Sequence, residues 1–366
     1  MVKAAVLFKP KVLKIQEFPE IEDFDGIICK INLAGICGTD FHIYNGYLKV
    51  PYPIILGHEN VGIIEKNSYN LKDVDGNILK SGQRIIFSAD IPCGKCWYCK
   101  YLEDNRGKQL CDNCITYGMS ISTRDVFPLS GGWSEKIYLR RGSYILPTPE
   151  YLVDEELVLV DSIASTWNID RILKLPYVKP IENVVILGGG AIGVLSAIRC
   201  KIRGIENVIV IDKHKFRINF IKKFVKNVIT MEYIENEKER INKIMDLTNG
   251  RGADMVIDTT GKPDALNEAI QFCRKGGTIS EIGAFADLGS TLIKPFEIVH
   301  KDLFIIGQYG YPPEEYKISL KILEDYHKEY PFKKLITHKI KLKNLPKLFN
   351  KKFVKEKKYI KIAVKP

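Results

Sequence analysis

VVILGGGAIGVLSAI, residues 184–198, runs an apolar strand-like segment into three glycines, skips two positions, meets a fourth, and continues with apolar residues at helical spacing. Gly188, Gly190 and Gly193 fit G-x-G-x-x-G between a predicted strand and a predicted helix that opens with Ala191 and Ile192. In such a junction the first glycine turns the chain, the second lets a pyrophosphate approach the backbone, and the third lets helix and sheet pack closely. Unsatisfied N–H groups and the dipole at the helix N-terminus then favour the phosphate charge. The next run, NVIVIDKH, ends a strand at Asp212. A carboxylate there accepts hydrogen bonds from an adenosine ribose and repels a 2′-phosphate, which predicts NAD in preference to NADP. Lys213, beside it, softens that preference and keeps NADP open.

Outward from this junction the chain alternates. VVILG, AIGVLSAIRCKIRG, NVIVID, FRINFIKKFVK, ADMVIDTTG, PDALNEAIQFCRKGG and TISEIG read as strand and helix in turn, which predicts a parallel sheet covered on both faces. The first 150 residues differ. GIICKINLAGIC, NVGIIEK, QRIIFSADIP and WSEKIYLRRGSYILP are β-branched and aromatic runs broken by Gly, Pro, Asn and Asp, and they predict short strands of an all-β unit. At 366 residues the chain suits two domains.

The net charge of +11 raises the question of nucleic acid. The lysines are spread along the chain, densest in the last thirty residues, and no nucleic-acid motif accompanies them, so a solvated lysine-rich face is expected and no nucleic-acid partner. No run of eighteen apolar residues occurs, which predicts no membrane partner. MVKAAVLFKPKVLKI alternates like a strand and is too broken by lysine for a signal peptide, so a cytoplasmic location is expected.

Five of the nine cysteines crowd into PCGKCWYCKYLEDNRGKQLCDNC: Cys93, Cys96, Cys99, Cys111 and Cys114. Without a secretion signal such crowding points to metal before disulfides. Four thiolates suit a closed tetrahedral Zn²⁺ site that holds a lobe together; an iron–sulfur cluster is the rival, with other spacings. Elsewhere GICGTDFHIYNG and PIILGHENVG scatter a cysteine, a histidine and carboxylates that could assemble an open zinc site from Cys37, His58 and either Glu59 or a later acid.

The order GxCGTDxH, GHE, CGxCxxC with a later Cys, and GxGxxG with a downstream Asp resembles the zinc-dependent medium-chain alcohol and polyol dehydrogenases, the sorbitol-, glucose- and threonine-dehydrogenase-like members among them. GGTISEIG and the C-terminal LITHKIKL extend the resemblance over essentially the whole chain. It implies an α/β protein of two domains: a GroES-like β-rich catalytic domain at 1–164 and 310–366, and a Rossmann doubly wound parallel-sheet coenzyme domain at 165–309, with zinc and nicotinamide meeting in the cleft between them. It implies two Zn²⁺ ions, one catalytic and one structural. Cys37 and His58 match catalytic-zinc ligands, and Asp161 in VLVDSIAS stands where relatives carry the third, with Ser162 in place of their usual proline. Glu59 matches an acid that binds or exchanges at that zinc. Asp40 matches the brace of the ligating histidine, Thr39 the hydroxyl that touches the alcohol oxygen, and His42 the base that passes the proton to solvent. Cys111 is the expected fourth structural ligand, with Cys114 the alternative. The Cys99–Cys111 loop is longer than the usual one.

The implied activity is hydride transfer from a secondary alcohol, polyol or aldose to NAD(P), by a homo-oligomer (dimer or tetramer). L-Threonine 3-dehydrogenase is the alternative; GYLKVPYP stands where threonine dehydrogenases carry a tryptophan-bearing segment. A zinc-independent quinone or enoyl reductase would need neither Cys37 and His58 nor the cysteine loop. A non-enzymatic nucleic-acid binder would leave Asp212 and the glycine junction without a purpose.

Overall fold

The structure, a computed structural model, describes residues 1–20, 25–102, 106–176 and 181–366. The chain forms two compact units. One comprises 1–164, 310–356 and 361–366; the other comprises 165–309 with 357–360. Residues 357–360, assigned from sequence to the catalytic domain, thus pack with the second unit.

The second unit is built on six parallel strands whose order across the sheet is Ile229–Glu232, Asn207–Asp212, Asn183–Leu187, Ala253–Asp258, Cys273–Glu281 and Phe304–Gly307. The chain starts in the middle, works to one edge, returns and works to the other, which is the doubly wound topology. Every residue of the neighbouring strands Asn183–Leu187 and Ala253–Asp258 is buried. That is why they read as unbroken apolar runs: a parallel sheet is covered on both faces. Val185, Ile209, Val256 and Ile279 share one core cluster with Ala269 and Phe272 from the helix Ala265–Phe272. Each valine, isoleucine or phenylalanine among them contributes about 1.5–3 kcal/mol on burial.

The first unit is mostly antiparallel. Its long strand Gly26–Ile36 pairs with Asn60–Asn67, Lys136–Arg140 and the C-terminal strand Lys361–Lys365. The register sets Ala34 opposite Asn60 and Ile36 opposite Ile362. Residues 59 and 361, one step outside those pairs, therefore arrive at the same end of Gly26–Ile36, just before Cys37. A further three-stranded sheet and a two-stranded ribbon, Asp90–Ile91 with Ile115–Thr116, complete the strands described. The helix Glu315–Tyr326 packs on the short helix Val160–Ala164.

Candidate active site

Cys37 follows directly on the long strand and is the N-cap of the helix Gly38–Asn45. Asp40, at the third helical position, accepts the backbone N–H of Cys37 through Oδ2 at 2.8 Å, a capping contact that also fixes the carboxylate beneath the cysteine. Its other oxygen, Oδ1, stands 3.6 Å from His58 Nδ1, and both residues are buried. A carboxylate beside Nδ1 favours the tautomer protonated there and leaves the Nε2 lone pair for a metal. The Thr39 hydroxyl lies 3.8 Å from Cys37 Sγ. His42, one turn further on, is half-buried with its ring against Tyr47.

Cys37, His58 and Glu59 each present a ligand atom, all within 4.8 Å of one another. His58 Nδ1, Asp40 Oδ1 and Glu59 Oε2 are buried and make no hydrogen bond. Buried polar atoms left this way are costly. His58 Nδ1 and Asp40 Oδ1 face each other, so Glu59 Oε2 is the orphan among the donors, and a mixed sulfur, nitrogen and oxygen set with that orphan fits Zn²⁺. Burial disfavours a charged His58, yet the Asp40 carboxylate and Cys37 outweigh it and hold the metal-free imidazole well above its ordinary pKa. Gly35 makes the space: a Cβ there would stand 1.9 Å from Glu59 Oε2.

Asp161, the expected third ligand, does not stand among this cluster of donors. Its Oδ2 accepts the hydroxyls of Tyr311 and Tyr316, the latter at 2.9 Å. Burial pushes its carboxyl up to about 6, with Glu59 adding to the rise against the opposing pull of His58. The reason is tertiary: Tyr316 rides on the helix that packs over Val160–Ala164. Sequence reasoning missed both tyrosines, and it missed Lys361, a buried lysine that donates to Glu59 Oε1 and, at 2.9 Å, to Ser162 Oγ. Burial opposes its charge, but Glu59 and Cys37 hold its pKa above the ordinary value. The only sequence signal was a lysine opening an apolar strand.

Cys93, Cys96, Cys99 and Cys111 bring four sulfur atoms within 4.8 Å of one another. The backbone N–H groups of Lys95 and Cys96 point at Cys93 Sγ, at 3.5 and 3.3 Å, and lower its thiol to about 6. Four such sulfurs suit a closed zinc site. Cys114 stands apart, accepting the Thr116 hydroxyl at 3.9 Å. None of the nine cysteines is in a disulfide.

In the second unit Gly188 has φ +98°, open to glycine alone at little cost. A Cβ on Gly193 would lie 1.8 Å from the Gly188 carbonyl oxygen. Gly190 is the N-cap of the helix Ala191–Ile202 and offers no side-chain acceptor, so the first-turn N–H groups suit a phosphate. Asp212 accepts the N–H groups of Gly189 and His214, both at 2.7 Å, and Arg217 Nη1 at 3.3 Å. A carboxylate offers about four lone-pair sites, so one remains for a ribose hydroxyl. Lys213 is exposed just beyond, and its charge, with burial, lowers the pKa of Lys262.

Two family models match the chain: the alcohol dehydrogenase GroES-like domain over residues 24–150 and the zinc-binding dehydrogenase over residues 191–325. D-arabinitol dehydrogenase 1 of Uromyces fabae is 27% identical over 354 residues, spanning 94% of this chain and 91% of that protein. Sorbitol dehydrogenase of Bacillus subtilis is 27% identical over 315 residues, spanning 84% and 82%. An alcohol dehydrogenase from Thermotoga maritima shares the fold with a TM-score of 0.89 at 29% identity, over 100% of this chain and 99% of that one. The chain belongs to the zinc-dependent medium-chain alcohol and polyol dehydrogenases. It is an oxidoreductase whose cofactors are zinc and a nicotinamide dinucleotide. Among the described residues no helix is long and apolar enough to cross a membrane.

Proposed function

We propose that this protein oxidises a secondary alcohol group of a polyol, with NAD as hydride acceptor. The observation that carries the reading is the convergence of Cys37, His58 and Glu59, with Asp40 braced behind two of them. Those three side chains hold the catalytic zinc, which when bound supplies Lewis acidity to the alcohol oxygen. Gly188, Gly190, Ala191, Ile192, Gly193 and Asp212 hold the dinucleotide, whose ring supplies the hydride acceptor. Asp40 fixes the tautomer and direction of the His58 ring. The Thr39 hydroxyl would relay the alcohol proton, accepting it on Oγ as it gives up its own, and the His42 imidazole, three residues on and on the same helix face, would pass a proton to solvent. Cys93, Cys96, Cys99 and Cys111 close around the second zinc and hold their lobe together.

The fungal D-arabinitol dehydrogenase and bacterial sorbitol dehydrogenase among the relatives support polyols before L-threonine. Nine cysteines without a disulfide suit the reducing cytoplasm. The edge strand Phe304–Gly307, with Phe296 67% and Val299 79% exposed nearby, supports self-association. The deciding experiment is a panel of pentitols, hexitols, simple secondary alcohols, aldoses and L-threonine, run with NAD and with NADP. The expected result is NAD-dependent turnover fastest on a polyol and abolished by chelation. Turnover confined to L-threonine, or undiminished after chelation, would overturn the reading.

A further inference from the structure

The two carboxylate oxygens of Glu59 have different surroundings. Oε1 accepts the Lys361 ammonium and, at 3.0 Å, the Ser162 hydroxyl; Lys361 also donates to Ser162 Oγ at 2.9 Å, so the three groups close a ring of hydrogen bonds. All three residues are at least 97% buried. Oε2 is also buried, accepts nothing, and lies over the bare backbone of Gly35. Glu59 is the carboxylate that stands within 4.8 Å of the Cys37 and His58 donors.

We propose that Lys361 and Ser162 are positioning residues that clamp Oε1 of Glu59 and so present Oε2 to the catalytic zinc as its third protein ligand. This rests on the reading that Cys37, His58 and Glu59 hold that ion. A glutamate has three rotatable bonds and would otherwise have to be ordered when the metal arrives. Two charge-assisted donors on one oxygen order it beforehand, at roughly twice the strength of neutral hydrogen bonds. Its neighbouring carboxylate, Asp161, is held by two tyrosines, so the clamp selects between the two acids. The ammonium also offsets one of the two negative charges brought by Cys37 and Glu59, which leaves the ion with more of its own charge to act on the substrate oxygen.

The test compares holoenzymes carrying Ser162→Ala, Lys361→Met, Lys361→Arg, Glu59→Ala, the Lys361→Met/Glu59→Ala pair and Cys37→Ser. Retention of the chelatable zinc is measured by competition with a chromophoric chelator, and the ligand set is read from the visible spectrum after Co²⁺ replacement. Ser162→Ala and Lys361→Met are expected to weaken retention by roughly 10–100-fold, the usual effect of removing an outer partner, and to alter the Co²⁺ spectrum. Lys361→Arg should restore part of the loss. The paired variant should be no weaker than Glu59→Ala alone, because the clamp acts only through that carboxylate. Wild-type retention in Ser162→Ala and Lys361→Met, or a full further loss in the Glu59→Ala background, overturns the proposal. Should Lys361→Met not fold, Ser162→Ala alone decides. Cys37→Ser separates the two levels: if it keeps the chelatable zinc, the metal site itself is misassigned; if it loses zinc while the clamp variants do not, only the clamp is wrong.

Discussion

Asp40 Oδ1 lies 3.6 Å from His58 Nδ1, while the other oxygen of the same carboxylate holds the backbone N–H of Cys37 at 2.8 Å. One buried side chain thus braces two proposed zinc ligands, Cys37 and His58, from separate segments of the chain. Asp40→Asn keeps an acceptor for the cap but loses the charge facing the imidazole. It is expected to weaken zinc retention by roughly 10–100-fold and to lower kcat with it, with helix content unchanged. Chelator competition and circular dichroism check both halves.

The four-sulfur cluster separates Cys111 from Cys114. Cys111→Ser should remove about one equivalent of tightly held zinc, because closed sites of this kind need all four donors, and should lower the thermal midpoint markedly. Cys114→Ser should retain both equivalents. Metal analysis after dialysis reads the difference, and the reverse pattern would place Cys114 in the site.

Asp212 is tied to Gly189 and His214 as well as facing the proposed ribose position. Asp212→Gly should raise Kd for NAD by about 10–100-fold, the worth of one or two charge-assisted hydrogen bonds. Lys213, Lys262 and Arg217 then face a 2′-phosphate without the opposing carboxylate, so NADP should lose less or gain. Calorimetry with both dinucleotides measures the ratio, and an unchanged ratio would remove Asp212 from the ribose contact.

Asp170 carries the clearest pH dependence. Burial opposes its charge, but Arg203 at 2.6 and 2.7 Å and Arg199 at 2.9 Å outweigh it and hold the carboxyl at about 2. The folded value lies below the unfolded value of 3.8. Its stabilisation is therefore complete above about pH 4 and is lost as pH falls toward 2. The shift corresponds to about 2 kcal/mol. Asp170→Asn should lower the urea midpoint at pH 7, and the gap from wild type should narrow between pH 4 and pH 3. A gap that stays constant over that range would show that the carboxylate is not the source.

The glycine junction was readable from sequence because its constraints are local. Positive φ at Gly188, and a Cβ on Gly193 that would collide with the carbonyl five residues earlier, act within one turn of chain. The alternation of strands and helices was readable for the same kind of reason: full burial of Asn183–Leu187 and Ala253–Asp258 leaves unbroken apolar runs. Residues 357–360 were not, because nothing in four residues says which unit they pack on.

At the metal centre the boundary is sharper. Cys37, His58 and the Cys93–Cys96–Cys99 run could be nominated from residue type and short spacing. Choosing Glu59 over Asp161 could not be done that way. It depends on Lys361, 302 positions from Glu59, and on Tyr316, 155 positions from Asp161, and these meet only when strand register and helix packing bring them together. By itself the sequence determined the glycine turn, the strand–helix alternation and the kinds of donor atoms, since these are set by backbone sterics and side-chain chemistry within a few residues. The tertiary structure alone decided which carboxylate faces the thiolate and imidazole. A buried acid is directed by the donors around it, and here Lys361, Ser162, Tyr311 and Tyr316 all come from distant parts of the chain.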